Sequence, residues 1–107
     1  MKNKFVIVAG VQSSVSSDMN KNLKNTLKQV ETAAKKGAQI ICLQELYRTI
    51  YFPQYPKQDK KQFSETIPGE STEAFSKIAK KYKIVIIVPI FERDEKGDYH
   101  NSAAEIS

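Results

Sequence analysis

The sequence contains few of the residues on which most metal and nucleophile motifs depend. In 107 residues there is one cysteine, Cys42, and one histidine, His100. A single histidine excludes a histidine-based metal cluster, and we expect neither a metal nor a cofactor. The four glycines form no GxGxxG, P-loop or GxSxG motif, so the sequence offers no phosphate cradle and no second catalytic group.

Long apolar runs are also missing. No stretch reaches the roughly 18 consecutive apolar residues of a membrane-spanning helix, so we expect no membrane partner. The apolar run near the N-terminus covers only residues 5–9, which is too short for a signal peptide. A single cysteine without a secretion signal predicts a cytoplasmic protein without disulfides.

Arginine is scarce although the net charge is positive. The formal net charge is +5, but 15 of the 17 basic residues are lysine, and only Arg48 and Arg93 are arginine. Planar recognition of bases and phosphates favours arginine, and the lysines are scattered along the chain. We therefore expect a lysine-rich solvated surface and no nucleic-acid partner; a polar-ligand or nucleic-acid binder is kept as a third hypothesis.

The residues that are present predict an α/β fold that begins with a strand, a helix and a second strand. Residues 4–11 (KFVIVAGV) are almost continuously apolar, which is typical of a strand buried on both faces. Ser17 or Asp18 can cap the following helix, and Gly37 ends it. The second strand, Ile40–Leu43, completes a βαβ unit with parallel strands. The apolar face of the helix consists of Leu23, Leu27, Val30 and Ala34.

A second helix and a hairpin follow. Ser71 can cap the helix, with Glu73 in its first turn. Residues 84–90 (IVIIVPI) predict a third strand, in which Pro89 lies near the end or at a sheet edge. Residues 99–106 pair with that strand as a fourth, across a charged turn. The apolar face of the second helix consists of Phe75, Ile78, Ala79 and Tyr82.

Glu45 is the candidate catalytic residue, because it comes directly after a buried strand. Ligands of open α/β sheets bind just outside the carboxyl ends of the strands. We expect a carboxylate there to be partly desolvated, and partial desolvation raises the pKa of a carboxyl toward the working range of a general base. The alternative is that Glu45 pairs with Arg48 or a lysine and has no chemical role.

Cys42 and His100 are weaker candidates. Cys42 and Glu45 have opposite parity, so their side chains leave opposite faces while the strand persists. We therefore interpret Cys42 as a small core residue rather than a nucleophile. His100 is interpreted as a structural residue or a modest polar contact.

The segment 46–68 has no clear periodicity and leaves directly from Glu45. It contains the aromatic residues Tyr47, Tyr51, Phe52 and Tyr55. Such a segment can be the wall or lid of a pocket, or a surface flap whose aromatic side chains pack on the core. Tyr51 is the residue of this segment that we expect in a substrate pocket.

Five stretches in order resemble the N-terminal portion of the nitrilase superfamily of carbon–nitrogen hydrolases. They are FVIVAGVQ, NLKNTLKQVETAAKKGAQI, LQEL with the YF pair that follows it, IPGESTEAFSKIAKKYKIVIIVPIFER, and GDYHNSAAEI. The LQEL stretch with its YF pair is similar to that of N-carbamoylputrescine amidases and, less closely, β-ureidopropionases.

The resemblance implies a fold and a mechanism. The fold is the N-terminal half of an α-β-β-α sandwich, a mixed sheet with two helices, and residues 1–107 are a single, incomplete domain. The family hydrolyses a small amide or carbamoyl substrate such as N-carbamoylputrescine with a Glu–Lys–Cys set, and its full-length members form homo-oligomers. Glu45 matches the general base, whereas the matching lysine and cysteine are expected beyond Ser107, so we predict no turnover by this chain alone.

Two helices give limited cover to three apolar strands. We therefore expect one apolar sheet face to be exposed unless further chain covers it. The alternative function is a small flavodoxin-like α/β binding or interaction module without catalysis, which is complete as it stands.

Overall fold

The computed structural model describes residues 5–54 and 59–107, which form four strands and two helices. The strands are β1 (Val8–Val11), β2 (Ile40–Leu43), β3 (Val85–Arg93) and β4 (Tyr99–Ile106). The helices are α1 (Met19–Lys35) and α2 (Glu70–Tyr82). Two short 3-10 helices, Phe52–Gln54 and Lys60–Phe63, lie between β2 and α2. The predicted alternation of strands and helices is confirmed.

The strands form one mixed sheet in the order β1-β2-β3-β4. β1 pairs with β2 in parallel, β2 pairs with β3 in parallel, and β4 returns antiparallel to β3. The predicted parallel βαβ pairing and the predicted hairpin are both confirmed. Because parallel strands end at the same edge of a sheet, the residues that follow β2 lie at the carboxyl edge, where ligands bind in open α/β folds.

Helix α1 begins and ends at residues that the sequence identifies. The Asp18 side chain caps it by accepting from the backbone N–H groups of Asn20 and Lys21, each at 3.1 Å. At the other end Gly37 has φ +101°, and its N–H donates to the Ala34 carbonyl at 3.0 Å. The positive φ explains why glycine follows the helix.

Helix α2 begins earlier than predicted. Its N-cap is Gly69, so the expectation that Ser71 caps it is wrong, although Glu73 does lie in the first turn. Ser71 is instead buried inside the first turn, where its N–H donates to Glu65 Oε1 at 3.0 Å. A carboxylate from outside the helix thus satisfies a free N–H at the positive end of the dipole.

Both helices pack on one face of the sheet. The buried side chains of α1 and α2 form one cluster with those of β2, β3 and β4. The fully buried members include Val30, Phe75, Ile41, Ile86 and Val88. Neither helix is long and apolar enough to cross a membrane, within the ranges that the structure describes.

The opposite sheet face, here termed the open face, has no described helix packed on it. It carries Val8, Ile40, Cys42, Val85, Ile87 and Phe91, which alternate with the buried positions of their strands. Val8 is 66% exposed. The expected exposed apolar sheet face is therefore present in the described part of the chain.

The first strand differs from its prediction. It begins at Val8 rather than near residue 4, and it is not buried on both faces, since Phe5 is 80% exposed and Ile7 52% exposed. A continuous apolar pattern predicts burial on both faces of a strand, and this holds only where other elements pack on both faces. β1 is an edge strand, and α1 covers only one of its faces.

Pro89 lies in the middle of β3, not near its end, because β3 extends to Arg93. It does lie at a local edge. The last β2–β3 pair joins Cys42 and Ile87, so beyond it β3 pairs only with β4 on one side. On the side of β3 that β2 leaves unpaired, Glu65 forms a single parallel bridge with Glu92.

Candidate functional site

Glu45 lies in the turn that follows β2, at the carboxyl edge of the parallel strands. The predicted position is confirmed, but the predicted partial burial is wrong, because Glu45 is exposed. Within the described ranges neither the open face nor the edge beside Glu45 is covered by another layer. Glu45 is therefore exposed because no described layer covers this edge of the sheet.

Asn101 contacts the carboxylate of Glu45. Its side-chain nitrogen donates to Glu45 Oε2 at 2.9 Å. Asn101 belongs to β4, where it pairs with Phe91 of β3, and both side chains belong to the open face by strand parity. β3 and β4 extend past the end of β2. The side-chain amide of Asn101, which is two strands away from β2, therefore reaches the turn after β2.

Glu45 forms no ion pair with any described residue. The expectation that it could pair with Arg48 is wrong, since Arg48 contacts Glu65 and Glu70 instead. The carboxylate of Glu45 is therefore held by a neutral donor and not by a cation. A single neutral donor leaves the other lone pairs of the carboxylate free to accept a proton.

A cleft of about 300 Å3 opens beside Glu45. Glu45 and Asn101 provide its polar wall, Tyr51 and Phe91 provide aromatic walls, and Lys60 contributes a basic side chain. Tyr51 lines the cleft while 55% exposed, which agrees with its expected place in a pocket. The structure thus brings Tyr51 and Glu45 together.

The segment between β2 and α2 combines both predicted roles. Part of it lines the cleft, and part of it packs on the core, as Phe52 stacks with Phe63 at 4.8 Å between ring centroids and contacts Phe91 at 4.7 Å. Tyr47 is buried and meets Phe75 edge to face at 5.6 Å. Tyr55 lies outside the described residues.

A buried polar cluster anchors the turn directly behind Glu45. Arg48 is 6% exposed, and its guanidinium lies 3.2 Å from Glu65 Oε1 and donates to Glu70 Oε1 at 2.5 Å. Asn22 of α1 donates to the Arg48 carbonyl at 2.7 Å. Desolvation lowers the pKa of Arg48, but the hydrogen bond to Glu70 and the charges of Glu65 and Glu70 outweigh it and raise that pKa. The guanidinium therefore stays charged.

The same cluster continues through Tyr47 and Ser71. The Tyr47 hydroxyl contacts Ser71 Oγ, which donates to Glu65 Oε2 at 2.8 Å. Burial raises the pKa of Tyr47 far above its usual range, so the phenol stays neutral. Leu46, between Glu45 and this cluster, has φ +53°, an uncommon left-handed conformation for leucine. Leu46 therefore lies between the residues that this cluster holds and Glu45, whose side chain accepts a hydrogen bond from Asn101.

Cys42 is not a core residue in the described structure. It is exposed on the open face, whereas its neighbours Ile41 and Leu43 are buried under the helices. The expected burial is wrong, because the face that Cys42 occupies has no described cover. The parity argument does not extend to Glu45, because β2 ends at Leu43 and Glu45 lies in the following turn, where its carboxylate contacts Asn101 of the same open face. Cys42 lies outside the cleft that contains Glu45, so the structure does not bring the two together.

His100 forms the modest polar contact that the sequence predicts. Its Nε2 lies 2.8 Å from Asp94 Oδ2 across the hairpin turn. The hydrogen bond with Asp94 raises the pKa of His100 and lowers that of Asp94. The pair stabilises the turn of the hairpin and stands apart from the cleft.

Two residues of the site were missed by sequence reasoning. Asn101 and Lys60 belong to no motif that would mark them in the sequence as site residues. The hairpin register pairs Asn101 with Phe91, and it can be derived from the strand lengths. The contact between Asn101 and Glu45 could not be derived from the sequence, because it depends on how far β3 extends beyond the C-terminal end of β2.

The chain was compared with known proteins. The sequence pattern of the carbon-nitrogen hydrolase family matches residues 7–107. Omega-amidase of Xenopus laevis is 39% identical over 98 residues, which cover 88% of this chain and 33% of that protein. N-carbamoylputrescine amidase of Solanum lycopersicum is 33% identical over 103 residues, covering 95% of this chain and 34% of that protein.

The fold is also similar to a solved structure. The carbon-nitrogen hydrolase from Helicobacter pylori G27 superposes with a TM-score of 0.82 at 30% identity, over 94% of this chain and 35% of that one. The chain therefore spans about a third of the length of the relatives it matches. The mixed sheet with two helices agrees with the fold expected from the resemblance.

Proposed function

This chain belongs to the carbon-nitrogen hydrolase family, and we propose that it contributes the general base, Glu45, to an active site that hydrolyses a small amide or N-carbamoyl amine. The observation that carries the proposal is the position of Glu45. It follows a parallel strand at the carboxyl edge, lines a cleft, and accepts a hydrogen bond from Asn101 without an ion-pair partner among the described residues. These are the properties that a general base requires.

In the proposed reaction Glu45 moves protons for a cysteine outside this chain. Glu45 takes the thiol proton, and the thiolate attacks the amide or carbamoyl carbon while a lysine stabilises the oxyanion. The carbon–nitrogen bond then breaks, and the proton on Glu45 passes to the leaving nitrogen. Glu45 next removes a proton from water, and the hydroxide attacks the thioester carbon. The carbon–sulfur bond breaks, and the proton on Glu45 passes to the thiolate, which restores the thiol.

Residues 1–107 are proposed to be one part of a larger catalytic domain. The chain spans about a third of its relatives, and its open face is apolar and lacks a described second layer. The nucleophile and the lysine of the proposed set have no match among its residues. We therefore expect no turnover by the 107-residue chain alone.

Two substrate classes fit the cleft differently. N-carbamoylputrescine, the substrate implied by the LQEL stretch and its YF pair, carries a free amine and would connect the protein to polyamine metabolism. Lys60 lines the same cleft as Glu45, and a lysine ammonium repels another ammonium group. Lys60 therefore favours a second candidate, an amide with a distal carboxylate.

Substitution of Glu45 tests the proposal. Ammonia release is measured from N-carbamoylputrescine and from succinamate, an amide with a distal carboxylate, in an active longer protein that contains this chain. Glu45→Gln keeps the size of the side chain and removes the base, so we expect a loss of about 100- to 10,000-fold in kcat. Glu73→Gln, on the exposed surface of α2 and away from the cleft, is the matched control and leaves the rate unchanged.

The outcomes separate the alternatives. Full activity of the Glu45→Gln variant would show that Glu45 is not the base. Ammonia release by pure, full-mass 107-residue chain would show that the chain is not a partial domain. A coding sequence that continues past Ser107 into a lysine-containing strand and a later cysteine would support the proposed catalytic set.

A further inference from the structure

We propose that Asn101 is the positioning residue that orients the carboxylate of Glu45 for proton transfer. The inference rests on the proposed role of Glu45 as general base. Asn101 does not touch the reacting atoms in this proposal. It acts on the reaction through the hydrogen bond that its side-chain amide donates to Glu45 Oε2 at 2.9 Å.

The hydrogen bond leaves one carboxylate oxygen free. Within residues 5–54 and 59–107, Glu45 Oε2 accepts from Asn101, and no other side-chain hydrogen bond to Glu45 is formed. Rotation about the last side-chain bond of a glutamate is loosely restricted, so an unheld carboxylate samples many orientations. A single donor on Oε2 restricts that rotation and leaves Oε1 free to accept a proton from a thiol or water in the cleft that Glu45 lines.

A neutral donor suits this role better than a cation. A lysine or arginine at position 101 would also fix the carboxylate, but as an ion pair that favours the charged form strongly and opposes its protonation. The amide of asparagine supplies direction with a weaker bias. The nearest basic residue of the cleft wall, Lys60, forms no ion pair with Glu45.

The donor is carried by a rigid element. Asn101 sits within the β3–β4 ladder, paired with Phe91 and followed by five further paired residues of β4. The Phe91 ring stacks on Tyr99 at 5.2 Å and contacts Phe52 at 4.7 Å. Groups held by strands keep catalytic geometry more accurately than groups on loops. Glu45 itself sits in a turn, so its side chain gains most from an external anchor.

Two substitutions of Asn101 test the inference in an active protein that contains this chain. Asn101→Ala removes the donor, and we expect kcat to fall about tenfold or more while KM changes little, because orientation and not binding is lost. Asn101→Asp keeps the shape and replaces the donor with a second carboxylate beside Glu45. We expect a larger loss, about 100-fold, near neutral pH.

His100→Gln is the matched control, since it changes the neighbouring side chain of the same strand, which contacts Asp94 and not Glu45. The control should keep both kcat and KM. Thermal unfolding of each variant separates loss of structure from loss of orientation, and Asn101→Asp decides the matter if Asn101→Ala fails to fold.

The two proposals fail in different ways. If Glu45→Gln is inactive and both Asn101 variants keep kcat within about twofold, Asn101 is not a positioning residue, while the role of Glu45 stands. If the Asn101 variants raise KM and leave kcat unchanged, Asn101 binds substrate instead, and the inference is overturned. If Glu45→Gln is active, the proposed function fails first.

Discussion

At the scale of single residues, Glu45 and Glu65 have different environments. Glu45 is exposed and bound to a neutral amide, whereas the side chain of Glu65 is 10% exposed and contacts Arg48 and Ser71. Sequence position identified Glu45, because it follows a strand. It could not identify Glu65, whose side-chain partners are Arg48 in the turn after β2 and Ser71 in α2.

Arg48 is expected to be the most important charged residue for stability. Replacing it by methionine keeps much of its volume but leaves Glu65, whose side chain is 10% exposed, without its cation. Loss of one partner of a buried pair typically costs about 3 kcal/mol or more. We therefore expect Arg48→Met to lower the free energy of unfolding by about 3 kcal/mol in urea titrations.

Lys81→Met is the control for this substitution, because it breaks the exposed ion pair of Lys81 with Glu31. Exposed pairs contribute little to stability, so this variant should unfold close to the parent protein. Equal effects of the two substitutions would mean that the Arg48 cluster does not anchor the turn behind Glu45.

At the scale of elements, the sequence predicted best where the signals are local. The hairpin strand 99–106 and the helix that Asp18 begins and Gly37 ends agree with the structure. The start of α2 was missed, because its free N–H groups are satisfied partly by Glu65, which lies outside the helix. A local capping rule applied to Ser71 cannot detect a cap that tertiary structure supplies.

The capping of α1 gives a direct test at this scale. Asp18 accepts two backbone N–H groups, whereas Ser17, the other candidate cap, is exposed and forms no side-chain hydrogen bond among the described residues. Asp18→Ala should lower the free energy of unfolding by about 1 kcal/mol. Ser17→Ala should leave it unchanged, and a reversal of the two effects in urea unfolding would show that Ser17 caps the helix.

At the scale of the whole molecule, two errors of prediction share one cause. Residues 4–11 and Cys42 were expected to be buried, and in the described structure β1 and Cys42 are exposed on the open face. Their apolar pattern is that of a strand between two layers, but one layer alone is described. The apolar residues of the open face are therefore typical of a contact surface, and no layer of the described structure packs on it.

Val8 tests whether that surface is exposed in solution. It is 66% exposed on the open face, so the 107-residue chain should bind a hydrophobic dye and associate as its concentration rises. Val8→Lys places a charge in the patch and should reduce both dye fluorescence and the mass measured by sedimentation. Asn25→Lys adds the same charge on the exposed surface of α1 and should change neither. A monomer that binds no dye and unfolds reversibly in two states would instead favour a small, complete flavodoxin-like binding module, because such a module has no contact surface left to fill.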